Sequence, residues 1–100
     1  MKAGLKYDKD KTRYDLIPVG VIRELAKVLT MGAKKYAPNS WQNLPDFNDR
    51  YYAGLLRHLM AWRRGEWRDP ESGRLHLSHV LCNAAFLLWK DLKNAKRRGN

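Results

Sequence analysis

Four side chains with reactive chemistry lie close together in the chain: Glu66, Asp69, His76 and His79, all between Gly65 and His79. That stretch holds three of the ten acids and two of the three histidines, which makes it the first place to look for a site. Carboxylates spaced Glu-x-x-Asp can meet on one face of a helical turn, where hard oxygens suit Mg²⁺ or Mn²⁺; Glu71 or Glu24 could add a third donor. A divalent ion held there would bridge phosphate oxygens, so a polyphosphate becomes a reasonable substrate class. His76 or His79, titrating near neutral pH, could serve as a general base or hold a softer metal. The plain alternative for each acid is an ordinary salt bridge in a basic protein. Glu24 is either a surface partner of Lys27 or Lys35 or a carboxylate aimed at the site. His-x-x-His alone is weak evidence for zinc.

Cations supply the complementary half of such a site. Arg50, Arg57 and Arg64 recur at heptad spacing, so they line up along one helix face. A guanidinium offers a planar fork of donors matched to phosphate oxygens. The bland reading of the same row is a solvated face.

The elements that must position these groups follow from local signals. Gly65, Pro70 and Gly73 interrupt any helix through the reactive stretch, making it a loop between two helices. Upstream, Pro18 suits the first turn of a helix, and the spacing predicts helix one from about Pro18 to Tyr36. Its apolar side would carry Ile22, Leu25, Ala26, Leu29, Ala33 and Tyr36. Ala37 to Asp46 reads as a loop, with two prolines and several short polar residues. Trp41 within it is either a plug over the core or a platform for a base.

Asp46 or Asn48 can cap helix two, which extends to about Arg64 with Tyr52, Leu55, Leu56, Leu59 and Trp62 as its apolar stripe. Ala53, Gly54 and Ala61 would let another helix, or another subunit, approach closely. His58, at the edge of the stripe, reads by itself as a packed, hydrogen-bonded histidine. Helix three is predicted from about Leu75 to Lys96, with Leu77, Leu81, Ala84, Ala85, Leu88 and Leu92 inward. His76, His79 and Asn83 share one stripe of that helix. Residues 1 to 16 read as an extended arm, and 93 to 100 as a basic tail, more simply a solvated helix end.

One hundred residues fit a single small domain spanning 1–100, and no repeat or alternating strand pattern is present. The expected fold is all-α, a small bundle of three main helices completed by oligomerisation. A composition of 44% apolar and 30% charged residues is that of a folded chain, with no membrane-spanning run and no secretory signal, so the cytoplasm is the expected location. The single cysteine, Cys82, excludes an intrachain disulfide and any cysteine-cluster metal site. A net charge of +10 favours an anionic partner: a nucleotide, another phosphorylated small molecule, or nucleic acid.

Linked motifs carry a family resemblance. Lys11-x-Arg13-x-Asp15-Leu16-x-Pro18 is followed by Gly32-Ala33-x-Lys35-Tyr36, Asn39-x-Trp41 and Leu56-Arg57-His58-Leu59-x-Ala61-Trp62. Gly65-Glu66-x-x-Asp69-Pro70-Glu71-Ser72-Gly73 and His76-Leu77-x-His79 complete the series. Over about residues 6 to 90 the chain resembles the N-terminal domain of phage-associated dATP/dGTP diphosphohydrolases. The resemblance implies a helical fold, a phage protein acting in the host cytoplasm, and kinship with MazG-like all-α nucleoside triphosphate pyrophosphatases, which use carboxylates and Mg²⁺. Glu66 and Asp69 match the second acidic motif of that group. The first, Glu-Glu-x-x-Glu, is missing, and helix one offers only Glu24.

The combined expectation is a Mg²⁺- or Mn²⁺-dependent hydrolase of purine deoxynucleoside triphosphates. Glu66 and Asp69 would hold metal with Glu24 and Glu71 secondary, and His79 with Asn83 would orient groups or water. Arg13, Lys34, Lys35 and Arg57 would neutralise phosphates, Tyr36 or Trp41 would stack on the base, and Asn39, His58 and His76 would complete the binding set. The alternatives are a protein that sequesters a nucleotide, cyclic or signalling, without cutting it, and a small basic nucleic-acid-binding protein.

Overall fold

The computed structural model describes residues 9–97. The first half of the expected arm, 1–8, and the end of the expected tail, 98–100, lie outside the described residues. Three helices account for most of the chain: α1 at Val19–Lys35, α2 at Phe47–Arg63 and α3 at His76–Arg97. Short 3-10 turns at Tyr14–Leu16 and Ser40–Asn43 punctuate the connections. Among the described residues the sole β pairing is an isolated antiparallel bridge between Arg68 and Leu75. The all-α expectation holds.

Helix boundaries fall within a residue or two of the predicted ones because their stop signals are local. Pro18 occupies the N-cap of α1 in an extended conformation, and its carbonyl accepts from Val21 N–H at 3.0 Å. Asp46 is the N-cap residue of α2, but it sits in the left-handed region (φ 54°) and makes no side-chain cap. Its carbonyl instead accepts from Arg50 N–H. At the far end of α2, Gly65 N–H donates to Trp62 O at 2.9 Å and Glu66 N–H to Ala61 O at 3.0 Å. These two bonds form a Schellman cap, and Gly65 supplies the positive φ (102°) that the cap requires.

α3 is the hub, packing extensively along α2 and less along α1. The helix faces that meet overlap the predicted stripes in part: Leu55, Leu56 and Leu59 of α2 and Leu81 and Ala85 of α3 are partly buried as expected, and other stripe members are not. In α1 the partly buried residues are Glu24, Leu25, Val28, Leu29 and Met31 to Ala33, while Ile22, Ala26 and Tyr36 are exposed. In α3 the buried side chains are His76, Ser78 and Cys82, whereas Leu77, Leu88 and Leu92 face solvent. In α2 it is Phe47 and Ala61 that are buried, with Tyr52 and Trp62 outside. Gly54 meets α3 closely, since a Cβ there would lie 3.4 Å from Asn83 Nδ2. The small residues of α2 therefore admit α3 of the same chain.

The 37–46 loop closes the other side of this contact. Trp41 stacks on Phe86 with ring centroids 4.1 Å apart and meets Trp89 edge-on at 4.9 Å. Phe47 and Tyr51 complete the cluster, and Tyr51 Oη donates to Trp41 O at 2.9 Å. Such aromatic pairs contribute about 0.5–1.5 kcal/mol each beyond their burial. They tie the loop to both helices.

Candidate functional site

Where α2 ends and α3 begins, three histidines and two carboxylates meet. His58, in the C-terminal half of α2, bonds across to α3: its Nδ1 lies 2.9 Å from His76 Nδ1. The same ring stacks on His79, with centroids 4.4 Å apart and planes within 10°. The Schellman cap turns the chain so that Glu66 returns toward α3, and its Oε1 accepts from His76 Nε2 at 2.8 Å. His76 is only 3% exposed, so both of its ring nitrogens are satisfied by these two contacts.

The loop supplies the second branch. Asp69 N–H donates to Arg74 O at 2.8 Å and His76 N–H to Trp67 O at 2.9 Å, closing a short hairpin around the Arg68–Leu75 bridge. Gly73 allows that closure with a φ of 76°. The expectation that Glu66 and Asp69 share a helical turn is corrected here, because Gly65 and Pro70 leave the segment extended. Inside the hairpin Asp69 Oδ2 accepts from Ser72 N–H at 3.1 Å and lies 3.6 Å from His79 Nε2. Ser72 Oγ and His79 Nε2 are hydrogen-bonded at 2.7 Å.

Burial and charge set the protonation of this cluster. Burial pushes His58 and His79 below the ordinary histidine value; neighbouring imidazoles push the same way and Asp69 opposes. Both shifts favour the neutral ring. Burial alone would raise Asp69, but the Ser72 hydroxyl and the Ser72 and Glu71 amides outweigh it and hold the carboxyl below its usual range.

The other predicted residues divide into those that join and those that stand apart. A groove of about 1240 Å³ runs between α1, the 37–46 loop, α2 and α3. Tyr36, Asn39, Trp41, Arg57, His58, His79 and Asn83 all line it, as does Arg50. Trp41 commits one face to Phe86, while Tyr36 is 70% exposed on the rim. Arg13 forms a two-point pair with Asp15, both contacts at 2.8 Å, and does not line the groove. Lys34 is exposed outside the groove, and Lys35 lies 3.8 Å from Glu71.

The four acids expected to hold metal face different partners. Glu66 takes His76, Glu71 faces Lys35, and Glu24 accepts from the buried Ser78 hydroxyl at 2.7 Å. That last bond holds the Glu24 carboxyl below its usual value. Among the described residues, the group whose donor atoms lie within 4.8 Å of one another is His58, Asp69 and His76. An all-carboxylate cage for Mg²⁺ does not fit this arrangement.

Sequence reasoning passed over Ser72 and Ser78. Ser72 had a legible signal, since Asp-Pro-Glu-Ser is a turn in which the aspartate accepts from a backbone N–H ahead of it. Ser78 had none, because its partner Glu24 lies on another helix.

Comparison with known proteins agrees with the motifs. A curated relative, the dATP/dGTP diphosphohydrolase of Salmonella phage PMBT28, is 30% identical over 86 residues. The match covers 86% of this chain and 29% of that protein, so the chain spans less than a third of the relative's length. No solved structure matches. The family model described as dATP/dGTP diphosphohydrolase, N-terminal, matches residues 1–98. The chain therefore belongs to the dATP/dGTP diphosphohydrolase N-terminal family.

Proposed function

We propose that the groove between α1, the 37–46 loop and the α2–α3 pair binds a purine deoxynucleoside triphosphate, and that the chain hydrolyses it to the monophosphate and pyrophosphate. The observation carrying this reading is that arginines, an exposed aromatic ring and neutral imidazoles line one groove in a member of this family. Arg57 and Arg50 would take phosphate oxygens. Tyr36, with its exposed ring, is a better base platform than Trp41, and Asn39 would read the base edge. Water adds to the α-phosphorus, the α–β anhydride breaks and pyrophosphate leaves. A neutral His79, oriented through Ser72 and Asp69, would accept the water's proton while Asn83 holds the water.

A second reading, capture of a nucleotide without turnover, is favoured by the dispersal of Glu24, Glu66 and Glu71 onto separate partners. One experiment separates the two. Purified protein incubated with dGTP or dATP and Mn²⁺ should release monophosphate and pyrophosphate. No monophosphate above a metal-free control, with intact nucleotide recovered from the bound fraction, would support capture alone.

The outer stripe of α3, where Leu88 is 58% and Leu92 62% exposed, is where a second copy of the chain would pack. Sedimentation should then show an oligomer that Leu88→Arg dissociates. No helix among the described residues is long and apolar enough to cross a membrane. The host cytoplasm, where nucleotide pools lie, is the proposed place of action.

A further inference from the structure

His58 and His76 approach through their Nδ1 atoms, 2.9 Å apart. Two neutral imidazoles share such a contact only if one carries its proton on Nδ1 and the other offers a lone pair there. Glu66 decides which. A carboxylate oxygen accepts, so the 2.8 Å contact with Glu66 puts an N–H at His76 Nε2, and an imidazole in that tautomer offers its lone pair at Nδ1. His58 is then the donor. A single proton lies between two nitrogens, with a carboxylate oxygen of Asp69 in the same cluster.

We propose that this cluster is a first-row transition-metal site, in which a divalent ion replaces the shared proton and is held by His58, His76 and Asp69 with Glu66 orienting His76 from behind. Two imidazoles and one carboxylate are a mixed nitrogen and oxygen set, which suits Mn²⁺, Fe²⁺ or Co²⁺; Mg²⁺ takes oxygen ligands and keeps its waters. Nitrogens 2.9 Å apart, each about 2.1 Å from an ion, subtend about 90°. That is the angle between neighbouring positions of an octahedron, whereas a tetrahedral zinc site needs nitrogens farther apart. Three such ligands leave positions for water or phosphate oxygens, and His58 lines the groove through which these would enter. A carboxylate on the far nitrogen of a ligating histidine is the usual means of fixing its tautomer and orientation. Asp69 and His76 are both screened from solvent, at 16% and 4% side-chain exposure, so the ion would sit against protein on that side.

Metal binding at this cluster does not depend on turnover, so it is tested separately from the nucleotide reading. The full chain is stripped with EDTA, then titrated with Co²⁺ followed by visible absorption and with Mn²⁺ followed by loss of the free-ion EPR signal. We expect one ion per chain, with Mn²⁺ retained against a tenfold excess of Mg²⁺. Asp69→Asn should weaken binding at least tenfold and Glu66→Gln by about 10- to 100-fold; Asp91→Asn, exposed on α3, should leave it unchanged. Because Glu66 is half exposed, its substitution spares the fold, and circular dichroism of each variant confirms that helices remain. The proposal is overturned if the helical wild-type chain binds neither ion, or if binding ignores both Glu66→Gln and Asp69→Asn. Ion binding as described without nucleotide cleavage would sustain this site and remove the hydrolase reading; cleavage with no ion bound at the cluster would do the reverse.

Discussion

The α2–α3 contact is built from two chemically different regions. Toward the C-terminal end of α2, His58, His76 and His79 meet Glu66, Asp69 and Ser72 through directed hydrogen bonds. Toward its N-terminal end, Phe47 and Tyr51 meet Trp41, Phe86 and Trp89 through ring contacts. Hydrogen bonds exchange water for protein and contribute about 0.5–1.5 kcal/mol net each, whereas burying large rings is strongly favourable. In a chain with few buried apolar residues, the aromatic region is therefore the larger source of stability and the polar network the smaller one. The aromatic region lines the groove with Trp41, Tyr51 and Phe86, and the polar region reaches it through His58 and His79.

The largest test of that division is Phe47→Ala, which removes a buried ring and should cost about 3–5 kcal/mol in denaturant melts. A loss below about 1 kcal/mol would mean the aromatic region is not the stabilising one. His76→Ala comes next. It strands Glu66 and the His58 ring, so a loss of about 1–3 kcal/mol is expected, with nucleotide turnover falling far more than stability. Turnover that falls only in step with unfolded fraction would reduce the network to a scaffold.

Acid titration probes the bond joining α1 to the polar region. Glu24 ionises below its ordinary value of about 4.5 when folded, so it stabilises the fold fully above that pH. The contribution is lost as pH falls through the lower folded value. Thermal melts of wild type and Ser78→Ala should therefore differ above pH 4.5 and converge below it; a constant gap would show that Ser78 acts through packing alone. The smallest effect concerns Cys82, buried on α3 beneath the groove. Burial pushes its thiol up to about 12, so a thiol reagent at pH 8 should label it only after unfolding. Rapid labelling of the native chain would show that the helix pair opens readily.

Some of this was readable residue by residue. Pro18, Gly65, Pro70 and Gly73 act on their own backbone and a few neighbours, so helix limits and the intervening loop followed from composition and spacing. The linked motifs carried the family. His76, His79 and Asn83 shared a stripe because helical spacing alone aligns them. His58 was different. Its spacing marked it as a packed histidine, and its partner lies 18 residues away on another helix.

Element type, element limits and family were thus determined by the sequence itself, because capping, proline geometry and helical period act within a turn or two of chain. Which face of each helix turns inward was decided by the tertiary structure. Leu77, Leu88 and Leu92 satisfy the apolar period yet face solvent, while Ser78 and Cys82 are buried. The carboxylates divided likewise, Glu66 to His76, Glu24 to Ser78 and Asp69 to the histidine cluster. Periodicity states which residues share a face. The rotation and register between helices come from non-local packing, here set by Gly54 against Asn83 and by the aromatic cluster, and they bring His58, Asp69 and His76 together.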